Sequence, residues 1–194
     1  MDLFPEEKVH LLLPNAELIY IPGFYNLSQA DVYFESLKET IAWQQDDVTV
    51  FGTTTPYGIV CNNDKSYSYS NITMAPKAFT DDLLNIKNGV EAESQYTFTT
   101  VLLNLYRNGN DSNGWHANNE KTLGEKPVIA SVSFGEIRPF YFKHRHIKDE
   151  SHKLYLNHGS LLVMKGEMQH YWVHQIAKTK KQISERINLT FRSL

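Results

Sequence analysis

The chain has 194 residues, a length that suits one domain with a sizeable core, and its 41% hydrophobic and 12% aromatic content excludes intrinsic disorder. Nineteen Lys and Arg against 22 Asp and Glu leave a net charge of −3, which excludes a uniformly basic nucleic-acid coat; the charge is nevertheless split, −10 over residues 1–137 and +7 over residues 138–194. A single cysteine, Cys61, excludes a disulfide framework and a multi-cysteine zinc site, and no apolar run reaches the roughly 18 residues of a membrane-spanning helix, so a soluble, unexported, cytoplasmic protein is expected.

In chain order, Ala16–Phe24 is a β-prone run, after which Ser28 is predicted to cap a helix carrying Ala30, Phe34, Leu37 and Ile41 on one stripe. Val48–Gly52 reads as a strand, and the Thr-, Gly-, Asn-, Tyr- and Ser-rich stretch that follows to Ser70 has the composition of an irregular surface loop or lid. Thr80 is predicted to cap a second helix over Asp81–Val90 or a little beyond. From Tyr96 the texture changes to short β-type runs at Phe98–Tyr106, Val128–Phe134, Phe140–Lys143, Lys153–Leu156, Ser160–Met164 and Arg186–Arg192. Helices followed by many closely spaced strands predict an α+β protein, a single domain over 1–194 whose C-terminal part is a two-sheet jelly roll.

Two segments carry residues that could do chemistry. In Gly114-Trp115-His116-Ala117-Asn118-Asn119-Glu120, residues 116 and 118 project to one side of an extended chain, as half of a facial triad of the kind that suits non-haem Fe(II). Lone histidines and asparagines are common turn residues, so the bare His-x-Asn pair by itself reads first as a turn, and spacing alone decides nothing. In Arg186-Ile187-Asn188-Leu189-Thr190-Phe191-Arg192, alternation places Arg186, Asn188, Thr190 and Arg192 on one face and the apolar residues on the other. Two arginines on one strand face suit a dicarboxylate ligand if buried, or an edge strand with solvated arginines if not.

Taken together and in this order, Asn104-Leu105-Tyr106-Arg107, Trp115-His116-x-x-x-Glu120, Pro127–Gly135, His158–Met164, His174 and Arg186-x-Asn188-Leu189-Thr190-Phe191-Arg192 resemble the AlkB-type dioxygenases that dealkylate nucleic acids. The resemblance runs from about Ser66 to the C-terminus. It implies a double-stranded β-helix (jelly roll) core over 96–194, with N-terminal helices and a nucleotide-recognition lid in 1–95. It also implies Fe(II) as cofactor, with 2-oxoglutarate and O2 as co-substrates. By resemblance His116 and His174 match the iron-ligating histidines, and Asn118 stands where the family has its ligating aspartate. Asn104, Tyr106, Arg186, Asn188, Thr190 and Arg192 match the surroundings of 2-oxoglutarate, with Arg186 as partner of the distal carboxylate. Tyr67, Tyr69, Ser70 and Asn119 match substrate-side positions, and His170, four residues before His174, does not match a ligand.

The resemblance implies oxidative dealkylation of N-alkylated bases in single-stranded DNA or RNA by a monomer: 2-oxoglutarate is decarboxylated to succinate, the N-methyl group is hydroxylated, and the hemiaminal releases formaldehyde. Two departures stand out. His-x-Asp-Asp-Glu here reads His116-Ala117-Asn118-Asn119-Glu120, which exchanges charged oxygens for amide dipoles and predicts weaker iron binding. The lid sequence is replaced by Gly52–Cys61, shorter and without an arginine. A catalytically impaired nucleic-acid-binding homologue and a dioxygenase of another substrate class are the rival expectations. A basic surface around Arg138, Lys143, Arg145 and Lys148 is expected beside the site.

Overall fold

A computed structural model describes residues 7–43 and 77–194 with their side chains, and the backbone pairing of 2–3, 45–50, 53–62, 67–69 and 72–74. The elements are β1 (Asp2–Leu3), β2 (Val9–Leu13), β3 (Ala16–Ile21), α1 (Leu27–Thr40), β4 (Gln45–Val50), β5 (Thr53–Asn62), β6 (Tyr67–Tyr69), β7 (Ile72–Met74) and α2 (Asp81–Ser94). After them come β8 (Thr100–Tyr106), β9 (Asn113–His116), a 3-10 turn (Lys121–Leu123), β10 (Ile129–Gly135), β11 (Arg138–His144) and β12 (Ser151–Leu156). The chain closes with β13 (Ser160–Lys165), α3 (Met168–Tyr171), β14 (Trp172–Ile176) and β15 (Arg186–Arg192).

Two sheets face each other. The larger has the order β2-β3-β13-β10-β15-β8-β5-β4 and the smaller β1-β12-β11-β14-β9, while β6 and β7 form a separate hairpin. Every pairing within the two large sheets is antiparallel except that of β1 with β12. Consecutive strands of the chain's second half alternate between the sheets or cross within them, which is jelly-roll connectivity.

The period-2 pattern of the large sheet sorts its side chains into two cores. Val101 and Leu103 of β8, Ala130, Val132 and Phe134 of β10, Leu161 and Val163 of β13, and Ile187, Leu189 and Phe191 of β15 face one way. There they pack with Ala30 and Leu37 of α1 and Leu83, Ile86 and Val90 of α2. Leu18, Tyr20, Ile129, Leu162 and Met164 point the other way, into the space between the sheets, to meet Phe140, Phe142, Leu154 and Trp172. Strand β15 is central and all seven of its residues are buried, so its arginines do not lie on a solvated edge.

Several sequence-based expectations are corrected. Helix α1 is capped by Asn26, whose side chain accepts from the Gln29 N–H at 2.9 Å while the Gln29 side chain accepts from the Asn26 N–H at 3.3 Å; Ser28 lies inside the first turn. Thr80 does cap α2, accepting from the Leu83 N–H at 3.3 Å, and the helix extends to Ser94, where Gln95 in the left-handed region ends it. The stretch read as an irregular lid contains the ten-residue strand β5, paired with both β4 and β8. Strands β2 to β5 therefore complete the large sheet, and a boundary at residue 95 divides the chain without dividing the layers. The loop before α1 is fastened by Gly159: its carbonyl accepts from the Tyr25 N–H at 2.9 Å. Its φ is +74°, and a Cβ would stand 2.6 Å from the Tyr25 carbonyl oxygen.

Candidate active site

His116 ends β9 and stands directly opposite His174 in the neighbouring β14, so the rings meet edge to face with centroids 4.4 Å apart. Alternation along β14 turns Trp172, His174 and Ile176 inward, and all three are buried. The Nδ1 of His116 lies 2.6 Å from the Gly114 carbonyl oxygen. As a donor it fixes the tautomer in which Nε2 carries the lone pair. Burial pushes the His116 ring down to about 4, against the opposing pull of the Gly114 carbonyl. His174 is held well below the usual histidine range by burial first, then by His116 and Arg192. Both imidazoles are neutral at pH 7, the form that ligates a metal.

Asn118 follows the strand and is also buried; its backbone N–H donates to Oε1 of Gln169 in α3 at 2.9 Å. Its side-chain Oδ1 and the Nδ1 of His174 are buried and find no hydrogen-bond partner among the described residues. Orphaned polar atoms of this kind are costly unless something else satisfies them. Two imidazoles and an amide oxygen lining one cavity are a donor set that fits a divalent first-row ion. Among the described residues no cluster of three His, Cys, Asp or Glu side chains occurs, the third donor here being an amide.

The polar face of β15 runs along the same cavity. Register puts Arg186 beside Tyr106, Asn188 beside Asn104, and Thr190 beside Leu102 of β8. On its other flank Asn188 lies beside Ser133, and Thr190 beside Ser131, of β10. Arg186 is 1% exposed; its Nη2 donates to Ser133 Oγ at 2.9 Å and to Asn188 Oδ1 at 2.6 Å. Asn188 also accepts from Ser131 Oγ at 3.0 Å and donates to Thr190 Oγ1 at 2.9 Å. Burial lowers Arg186 to about 10, so it remains a cation at neutral pH.

One cavity between the sheets is thus lined by His116, Asn118 and His174 together with Asn104, Tyr106, Arg186, Asn188, Thr190 and Arg192, every expected metal and co-substrate residue. Asn119 is exposed. Tyr67, Tyr69 and Ser70 lie outside the residues whose side chains are described. His170 is exposed and pairs with the Glu125 carbonyl. The expected basic surface needs one correction: Lys143, Arg145 and Lys148 are exposed at the β11–β12 hairpin, but Arg138 is 2% exposed and points between the sheets. Sequence reasoning missed Gln169, Ser131 and Ser133 as parts of the site. Only the hydroxyls alternating with apolar residues in Ala130-Ser131-Val132-Ser133 hinted at an inward polar row.

A double-stranded β-helix with two facing histidines and a buried arginine strand defines a 2-oxoglutarate/Fe(II) oxygenase type of site. The family model of the 2OG-Fe(II) oxygenase superfamily matches residues 17–192. Alpha-ketoglutarate-dependent dioxygenase alkB homolog 3 of Bos taurus is 37% identical over 187 residues, which cover 89% of this chain and 64% of that protein. DNA oxidative demethylase ALKBH2 of Homo sapiens is 33% identical over 184 residues, covering 88% of this chain and 70% of that protein. The solved structure of OsALKBH1 superposes with a TM-score of 0.68 at 16% identity, over 95% of this chain and 99% of that one, and shows the same fold. The chain belongs to the 2OG-Fe(II) oxygenase superfamily, in its AlkB-type branch. It spans about 64% of the length of the alkB homolog 3 proteins it matches.

Proposed function

We propose that this chain is a 2-oxoglutarate-dependent dioxygenase that oxidatively dealkylates N-alkylated bases in nucleic acid, a DNA-repair activity. The observation that carries the reading is the single cavity in which two neutral histidines and the orphaned Asn118 oxygen face a buried arginine strand. His116, Asn118 and His174 would hold Fe(II), which when bound activates O2 at the expense of 2-oxoglutarate. Arg186 holds the distal carboxylate of the co-substrate, with Ser133 and Asn188 fixing its fork. Asn104, Tyr106, Thr190 and Arg192 complete the walls and exclude water from the acid. These side chains bind and orient; the protein itself supplies no nucleophile.

The relatives' names support the substrate class: one is an alpha-ketoglutarate-dependent dioxygenase and the other a DNA oxidative demethylase. The exposed Lys143, Arg145 and Lys148 beside the His174 strand suit a phosphate backbone. In this reading Tyr67, Tyr69, Ser70 and Asn119 face the target base, the substrate is single-stranded, and the chain acts as a monomer. A lone cysteine suits the reducing cytoplasm as its place of action. Among the described residues no helix is long and apolar enough to cross a membrane.

The test is incubation with Fe(II), 2-oxoglutarate and a single-stranded oligonucleotide carrying an N-methylated base, in DNA and RNA forms. Succinate and formaldehyde released in equal amounts with loss of the methyl group are the expected result. Binding of the oligonucleotide without succinate would overturn the enzymatic reading in favour of a binding protein. Succinate without demethylation would move the substrate to another class.

A further inference from the structure

Among the described residues, Arg138 is the one large buried cation to which neither the metal nor the co-substrate reading assigns a role. It is 2% exposed at the start of β11, on the small sheet. Its guanidinium carbon lies 5.7 Å from the centroid of the Tyr106 ring, and that of Arg186, on the large sheet, lies 5.1 Å from the same centroid. Two like charges therefore share one aromatic ring at the Arg186 end of the co-substrate cavity. Arg138 Nη2 donates to the carbonyls of Ala177 at 2.7 Å and Asp111 at 3.3 Å, whereas its Nε and Nη1 are buried without a partner among the described residues. Nε and Nη1 of Arg186 are in the same condition.

No described carboxylate neutralises the pair by contact. The Asp111 carboxylate receives the backbone N–H, Nε and Nη2 of Arg107, and Glu136 accepts from the Ser184 N–H. Tethering two carbonyls requires a donor but not a full charge in a dry interior, and a surplus of buried positive charge is a standing cost unless an anion arrives. Anionic charge reaching this end of the cavity would interact with both arginines, with Arg186 directly and with Arg138 through the low-dielectric space around Tyr106.

We propose that Arg138 is a positioning and co-substrate-selecting residue: its charge, together with its contact to the Tyr106 ring, makes the distal end of the cavity accept a 2-oxo acid bearing a second carboxylate and reject one that lacks it. Arg138 does not line the cavity, so it acts through Tyr106 and through its field. The inference rests on the placement of 2-oxoglutarate against Arg186 argued above.

The experiment is calorimetric titration of the Mn(II)-loaded chain, under anaerobic conditions, with 2-oxoglutarate and with 2-oxopentanoate, which has the same carbon skeleton but no distal carboxylate. Arg138→Met is expected to weaken 2-oxoglutarate tenfold or more and 2-oxopentanoate less than twofold, with Arg138→Lys recovering most of the loss. The ligand-free Tm of Arg138→Met is expected to equal or exceed that of the unmodified chain, because a buried charge that no described carboxylate contacts, and that Asp111 and Glu136 offset only at a distance, has been removed. Equal weakening of both acids with a lower ligand-free Tm would make Arg138 a tether only and overturn the inference, as would unchanged 2-oxoglutarate affinity. If the unmodified chain itself shows no preference for 2-oxoglutarate, the placement against Arg186 fails first, and the inference falls with it.

Discussion

Replacing Asn118 with Asp should tighten divalent-metal binding and, in the absence of metal, destabilise the protein. The side chain is 2% exposed, with Oδ1 buried and unpartnered in the cavity shared with His116 and His174. A unit charge about 4 Å from a divalent ion, at an effective dielectric near 20, gains roughly 8 kcal/mol gross. Desolvating a new buried carboxylate takes back several kcal/mol, and the amide dipole already supplied part of the attraction. A net of roughly 1.4–2.8 kcal/mol remains, or about 10- to 100-fold in metal affinity. Without metal the same carboxylate is buried with no ion to meet, and Tm should drop by roughly 2–4 °C for each kcal/mol lost. Mn(II) titration followed by electron paramagnetic resonance, with 2-oxoglutarate present, measures the first effect, and thermal denaturation of the metal-free protein the second. Turnover to succinate should rise in parallel with Mn(II) affinity. Identical Mn(II) dissociation constants for the unmodified chain and the Asn118→Asp variant would refute the assignment of this position as a ligand.

Arg186→Ala should raise the KM for 2-oxoglutarate by tenfold or more, since breaking a buried charge pair costs about 3–5 kcal/mol, and an unchanged KM would mean that another cation holds the acid. Charge reversal of Lys143 and Arg145, exposed on the hairpin beside β14, should lower the slope of single-stranded oligonucleotide affinity against salt by about 0.7 per lost phosphate contact; a flat slope in the unmodified chain would remove this surface from the interface. Asp111 is buried, which by itself would raise its carboxyl, but the hydrogen bonds and charge of Arg107 outweigh burial and hold it below the usual range. Its contribution to stability is therefore complete above the ordinary carboxylate pKa of about 4 and is lost as pH falls through the lower folded value. Denaturant titrations between pH 7 and 2 should show Asp111→Asn less stable at neutral pH, with the gap to the unmodified chain closing in acid; a gap independent of pH would contradict the ion-pair account.

Local pattern carried a large part of this protein. The alternation of Arg186 to Arg192, the Thr80 cap, and the ordered series of short strands were legible residue by residue, because period and capping depend only on neighbours in the chain. His116, Asn118 and His174 could be singled out by likeness to a family, and spacing by itself left them open. Other features depended on partners far away in the chain. That the arginine face of β15 is interior, when a strand face bearing two arginines could equally have been a solvated edge, follows from its place between β10 and β8 under a second sheet. The facing of His116 and His174 follows from the pairing of β9 with β14, 58 positions on, and the seating of Asn118 from Gln169 in a one-turn helix. Arg138 shows the limit most clearly. As one basic residue in a basic segment it reads as surface, and only the closing of the two sheets over Tyr106 reveals it as a buried charge, because burial is a property of what folds over a residue and leaves no mark in the residues beside it.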